Sequence, residues 1–302
     1  MKGSNRSRIM WAGGIAAFVI LLCLAQVFVA PKFAPPPAIM PVRNGYDDFV
    51  KASSLLAPLD PDWDAIPLAR LRPLMASNAP ALALVHLGLT RECRTPLAYT
   101  PDYFATNDFG RLRNVAVALA ADAKVAEADN RFGDAAFDDA SIIAFGRESA
   151  RGGLLIHSLV QIAIVSLGVK PLQRETPRLT AEESRRCLRL LQKSESDAEP
   201  FNRIRKREEI YAETIDPIKV RLLRVPLRLL GRDPVLATAR KTEIRLKAQS
   251  LTLLNLEAAL AAQAFQMENG RAAAGWNDLV PAYLPAIPTN PVLTQPLSFG
   301  AW

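Results

Sequence analysis

A chain of 302 residues, half of them hydrophobic, is long enough to bury one sizeable core or two small ones. Fifteen Gly and 23 Pro are scattered among many Ala and Leu, and alternating β-branched and aromatic runs are almost absent. That composition argues against sheets and for helices punctuated by proline. The net charge of +7 is concentrated, because Phe201–Ser250 holds thirteen basic and six acidic residues, the whole of the excess.

Met1–Ala30 sets the compartment. Ile9–Ala30 runs for 22 residues without a formal charge; as a helix it covers ~33 Å, enough for the ~30 Å hydrocarbon core of a bilayer. Lys2, Arg6 and Arg8 precede it, whereas the flank to Val50 balances Lys32 and Arg43 against Asp47 and Asp48. The basic excess stays inside, which predicts a single-pass inner-membrane protein with a cytoplasmic N-terminus and a periplasmic bulk. A cleaved signal peptide fits less well, since its apolar run needs only ~7–15 residues. Cutting after Ala30 would also place Phe28 three residues before the cut and Pro31 directly after it. Cys23-Leu24-Ala25 offers a passable earlier site, and Leu22 is too large for a lipoprotein reading of Cys23.

Pro31–Pro41 reads as an extended, semi-rigid proline-rich spacer. Asn44-Gly45 reads as a turn and Tyr46–Ala57 as a first short helix. Asp60, Asp62 and Asp64 alternate as calcium ligands do, but the central Gly and closing Glu of an EF-hand loop are missing, so a helix-capping acidic turn is the better reading. Leu68–Leu89 is again helical, with a break expected at Asn78-Ala79-Pro80, and Arg91–Asp102 is loop-like. Leu112–Ala128 is the clearest amphipathic helix. Asn130–Asp134 reverses the chain into a helix over Ala135–Gly146. Leu154–Val169 is mostly apolar but short for a span and interrupted by His157, Ser158, Gln161 and Ser166, which predicts the most buried helix of the core. Thr180 and Glu183 form a capping box for a helix carrying Arg185, Arg186, Arg189 and Lys193 on its wet side. Arg203 and Arg207 then lie beside Glu208 and Glu209 on a solvated helix.

Few residues here announce chemistry. Cys93 and Cys187, both exported on this topology, are a candidate disulfide or equally two unrelated buried thiols. No CxxC or Cys/His cluster is present, which excludes a zinc site of ordinary spacing, and no cofactor or other metal is expected. His157 reads as a core histidine with a local hydrogen-bond partner. A hydrolase would need His86 or His157 brought by folding to a Ser and an acid, as neither G-x-S-x-G nor H-E-x-x-H occurs. Catalytic residues therefore stay unknown. Val220–Leu230, with Arg221, Arg224 and Arg228, is a candidate lipid-surface contact, although an ordinary exposed helix face is the simpler reading. Nucleic acid is not an expected partner, since the basic window lacks interleaved aromatics.

Ala237–Asn269 reads as one long helix ended by Gly270. Five prolines follow, so the rest must be extended, and Trp276, Leu279, Val280, Tyr283, Leu284 and Ile287 are expected to dock it on that helix. The Ala/Leu helix, Glu268-Asn269-Gly270-Arg271, Leu279-Val280-Pro281, Tyr283-Leu284, Ile287-Pro288, Asn290-Pro291 and Pro296-Leu297 resemble the C-terminal unit of a group of uncharacterised single-span bacterial envelope proteins. Asn44–Asp48 and Arg151–Gly153 are similar to other parts of the same group. The C-terminal segment also resembles the helix-plus-proline tail of type II secretion pseudopilins. Ala272-Ala273 and Asn290 depart from both patterns, and the pseudopilin N-terminal signal is missing. The resemblance implies architecture and compartment, not an activity.

The expected fold is all-α: a transmembrane anchor (1–30), a spacer (31–43), a helical-hairpin domain of bundle or tetratricopeptide type (44–235), and a C-terminal helix with a wrapped tail (236–302). The expected role is a membrane-anchored binding or scaffold module of the bacterial envelope, held by the bilayer through residues 9–30 and meeting envelope proteins. An exported hydrolase and a pseudopilus-associated subunit are the alternatives.

Overall fold

Asn44 begins the first helix as a clamp. In extended conformation it accepts the Tyr46 amide on Oδ1 (3.2 Å), so Asn44-Gly45 is a helix N-cap and not a free turn. The same side chain bonds both backbone groups of Arg94, accepting from N at 2.8 Å and donating to O at 2.7 Å. The computed structural model describes residues 39–60, 62–100, 102–103, 108–215 and 233–300. The expected anchor over 9–30, residues 31–38 of the spacer, and Arg221, Arg224 and Arg228 lie outside the described residues.

The described residues are all-helical, with nine α-helices and no strand. They are α1 (Gly45–Leu55), α2 (Leu68–Leu89), α3 (Phe109–Ala128), α4 (Phe132–Ala150), α5 (Leu155–Glu175), α6 (Ala181–Ser196), α7 (Phe201–Ile215), α8 (Pro234–Asn269) and the short α9 (Trp276–Leu279). The expected acidic turn is a 3-10 helix over Trp63–Ala65, where Asp60 Oδ1 accepts from Asp62 N at 2.9 Å. The expected break in α2 does not occur: the helix runs unbroken through Pro73 and Pro80. Each proline removes one backbone bond. Leu71, Met75, Leu82, Val85 and Leu89 are buried on both sides of Pro80, and Asn78 Oδ1 accepts from Ala57 N at 2.8 Å. Tertiary packing outweighs the local penalty.

α3 turns into α4 through a Schellman motif. Asn130, at φ 58°, takes the left-handed position, while Arg131 N bonds Ala126 O (2.9 Å) and Asn130 N bonds Glu127 O (3.0 Å). α6 has the expected capping box, in which Thr180 N donates to Glu183 Oε2 at 2.8 Å and Glu183 N donates to Thr180 Oγ1 at 3.3 Å. Gly270 closes α8 at φ 68°.

Two large apolar clusters share α4. Ile142 and Phe145 join Phe49, Leu82, Val85, Leu112, Val115 and Leu119 on one side. Ala136, Ala140 and Ile143 face Val165, Leu188, Leu191, Leu256, Leu260 and Phe265 on the other. This corrects the expectation for Leu154–Val169. α4 buries 15 of its 19 residues, whereas α5 buries eight of 21. Mean hydropathy counts a helix's own side chains; burial counts its neighbours, and α4 has them all round.

Leu155–Arg178, with mean hydropathy 1.6, is the one stretch among the described residues long and apolar enough to cross a membrane. Only 39% of that window is buried. Its buried side packs on α4, and its open side carries Ser166, Lys170, Gln173 and Arg174. A face that polar, with α4's charged residues directly behind it, fits a core helix better than a span.

The tail docks as expected through Leu279, Tyr283 and Leu284, all buried in the cluster with α8. Trp276 and Val280 are half-buried against it, but Ile287 is 41% exposed. After Pro285 the chain leaves α8 and closes on itself, with Asn290 N bonding Gln295 O and Leu297 N bonding Pro288 O, both at 2.8 Å. That loop returns Leu297 O to the Trp276 indole (3.0 Å) and Phe299 to an edge-on contact with its ring. The tail is thus a small closed unit, not a strap along the helix.

Candidate functional site

His157 opens α5 and is nearly fully buried. Its Nδ1 accepts from Leu154 N at 2.9 Å, so the ring proton sits on Nε2, facing Tyr103 Oη at 3.0 Å. Burial, with the Arg207 charge behind it, pulls its pKa down to about 4. Phe109 packs edge-on against the ring at 4.8 Å. It is a neutral, positioned core histidine, as the sequence implies.

His86, in the last turn of α2, comes nearer to catalytic geometry. Its Nδ1 lies 3.3 Å from Ser141 Oγ and its Nε2 lies 3.5 Å from Asp138 Oδ1. The ring stacks on Phe137, whose ring also carries the Arg186 guanidinium at 3.4 Å. Ser141, however, is fully buried and donates its proton to Phe137 O at 2.7 Å. With its proton given to that carbonyl, Oγ is left only to accept from the imidazole, and Ser141 has no accessible surface. A hydrolytic serine needs the opposite arrangement on both counts.

Cys93 and Cys187 are both free and buried. Cys93 is buried with α1–α4, and Cys187 is buried in the cluster of α4, α5, α6 and α8. Burial pushes each thiol up to about 12, so neither is a nucleophile near neutral pH. Among the described residues, no group of three or more His, Cys, Asp or Glu is placed to hold a metal ion.

The buried charges are more informative. At the ends of α4 and α6 a cleft of about 240 Å³ is lined by Arg147, Arg151, Asp197, Phe201, Leu246 and Lys247. Its charges pair off internally: Arg147 with Glu195, Arg151 with Asp197 (3.3 Å) and Glu148 (3.5 Å). Arg207 binds the neighbouring Glu199 and donates from Nε to Gly153 O at 3.0 Å, tying α7 to the turn before α5. Close to Arg147 and Glu195, Glu257 is raised to about 8, by burial first and then by Glu195.

A second cleft, of about 370 Å³, opens between the Trp63–Ala65 turn, α3, α4 and α5. At its rim Lys124 binds Asp64 Oδ1 (2.8 Å) and lies over the Trp63 ring, and Arg174 binds Glu127 (2.8 Å). Its floor is a carboxyl pair, Asp139 of α4 (2% exposed) and Glu175 of α5 (1% exposed). No protein donor reaches Asp139 Oδ2 or Glu175 Oε2. The two hold each other through a side-chain hydrogen bond, and the nearest cation, Arg174, is 4.0 Å from Glu175. Burial first, then the opposing carboxylate, raises Asp139 to about 9. Burial and Glu127 raise Glu175 to about 7. Sequence reading missed this pair, because 36 positions separate its members. One signal was present: Asp139 falls four residues after Ala135 and four before Ile143, on the apolar face of its helix.

No family model, curated protein or solved structure matches the chain. Fold and site therefore define it only as an all-helical protein, among the described residues, with one buried histidine, His157, and one partly exposed, His86.

Proposed function

We propose that the chain is a membrane-tethered, extracytoplasmic helical module that binds or scaffolds partners in the bacterial envelope. The observation that carries the binding role is Ser141: the hydroxyl that meets a histidine backed by a carboxylate is enclosed and committed to a backbone carbonyl. Support for the tether comes from the uncharged run Ile9–Ala30 and its basic N-terminal flank. The consecutive packing of α1 on α2 and of α3, α4 and α5 favours a helical-hairpin array of bundle or tetratricopeptide type. A reporter active only after export, fused behind Trp302, is expected to be active; activity of a cytoplasm-only reporter would end the tethered reading.

The contact of His86 with both Ser141 and Asp138 keeps one enzymatic reading in view, an exported serine hydrolase. A fluorophosphonate probe decides between the two. No labelling of the full-length chain is expected, whereas labelling that disappears in Ser141→Ala would replace the binding role with hydrolysis. The pseudopilus-associated role is supported by the tail resemblance alone.

A further inference from the structure

We propose that the exposed face of α7, and of α8 as far as Ala248, docks on the anionic headgroups of a phospholipid bilayer, a role that rests on the tethered reading, which brings a membrane within its reach. Every charged residue that is exposed on this part of the two helices is basic. Six of them, Arg203, Arg205, Lys206, Arg240, Lys241 and Arg245, have no carboxylate within ion-pair distance among the described residues. The seventh, Lys247, binds Glu243 at 3.1 Å. The acids of the same stretch, Glu208, Glu209, Glu213 and Glu243, are all half-buried, and Glu208 accepts from the Leu155 amide at 3.0 Å. A face of one sign repels itself and gains from an anionic surface laid against it.

The position of this face selects a bilayer. Ile204 of α7, Ala239 of α8 and Leu155 of α5 form one buried cluster, and Arg207 bonds Gly153 O at 3.0 Å. The turn before α5 also holds the start of the domain: Thr95 N donates to Arg151 O at 2.8 Å, and Arg94 bonds both Asn44 and Ile39. The basic face and Ile39 therefore lie at the same end of the molecule. Ile39 is only nine residues beyond Ala30, a reach of about 30 Å at most. That end also presents exposed aliphatic side chains, Ile39 (80%), Val42 and, amid the cations of α8, Ile244 (67%). Cations around protruding aliphatic groups match headgroups lying over acyl chains. A nucleic acid would need aromatic rings to stack its bases, and the exposed residues of this face include none.

Lysine acylation read by mass spectrometry tests the face in the full-length chain, reconstituted in vesicles of phosphatidylcholine with or without phosphatidylglycerol. Lys206 and Lys241 report the face; exposed Lys170, about 22 Å beyond Leu155 along α5, is the reference. Phosphatidylglycerol is expected to slow acylation of both reporters about fivefold relative to Lys170, and high salt should restore it. Arg240→Glu combined with Arg245→Glu, both at exposed positions, should abolish the protection of Lys241 and leave the melting temperature unchanged. The tether is read separately, because flotation with phosphatidylcholine vesicles in high salt needs an anchor and not this face. A chain that floats with both vesicles yet is acylated equally in both overturns the proposal and leaves the tether standing. A chain that does not float with phosphatidylcholine ends the tethered reading. In that case recruitment and protection by phosphatidylglycerol still uphold the face, and their absence overturns it. Protection of Lys241 that survives the double variant, or that soluble polyglutamate matches on phosphatidylcholine vesicles, overturns it as well.

Discussion

Phe145→Ala is expected to remove about 3–5 kcal/mol of folding stability, the usual loss when a buried aromatic becomes a cavity. Phe145 is fully buried on α4 and meets Phe49 of α1 edge to face, with ring centroids 4.9 Å apart. Its neighbours Val85, Leu112 and Leu119 come from α2 and α3, so no single helix can move in to fill the space. Collapse is blocked from the other side as well. Gly146 is tight against α5, where a Cβ would stand 2.9 Å from Ile164 and 3.0 Å from Val165. Against a total stability of about 5–15 kcal/mol, that loss is a large fraction of the whole. Urea denaturation of the native chain and the variant gives the difference, with Phe145→Leu as the milder control at about 1–1.5 kcal/mol. A Phe145→Ala loss below about 1 kcal/mol would mean that α4 does not hold the two clusters together.

Periodicity carried most of the helix assignment. Leu68–Leu89 was readable to its ends, as were the Thr180–Glu183 cap and the Gly270 stop, because each depends on residues near one another in the chain. Three features were not readable, and each depends on distant neighbours. α2 continues through Pro80 because Asn78 is held by Ala57 and the flanking leucines are buried. α4 outranks α5 in burial although it holds Asp138, Asp139, Arg147 and Glu148, since seven other helices contact it or share its clusters. The carboxyl pair joins residues in two different helices, and only the packing of α4 on α5 brings them face to face. Gly168 permits that approach: a Cβ there would lie 2.4 Å from Asp139 O. Both histidines were legible as candidates, but whether Ser141 offers its proton to His86 or to Phe137 is decided by side-chain direction alone.

The chain is expected to lose stability as pH rises from about 4.5 towards 9. In the unfolded chain Asp139, Glu175 and Glu257 release their protons near 4, as ordinary carboxyls do. Folded, they hold them until about 9, 7 and 8 respectively. Between those limits the folded state binds protons that the unfolded state has lost, so each rise in pH favours unfolding. Each carboxyl contributes up to about 1.4 kcal/mol per pH unit inside its own window. The charges facing the pair are Asp138 on α4, Glu127 on α3, Arg174 on α5 and Arg178 just beyond it. Two of them are acids, so the cations do not cancel the effect. His157 acts in the opposite sense. Its folded value of about 4 means that stability is lost as pH falls from 6.5 to 4, but this is one group against three. Glu268 and Asp278, each held at about 2 by an arginine partner, stabilise fully above pH 4.5 and leave the slope unchanged. Denaturant midpoints measured at about pH 5, 7 and 8.5 should therefore fall steadily, and Asp139→Asn should flatten the decline. A midpoint that rises over this range, or one that Asp139→Asn leaves equally steep, would show that the floor of the cleft is already neutralised by a charge from elsewhere in the chain.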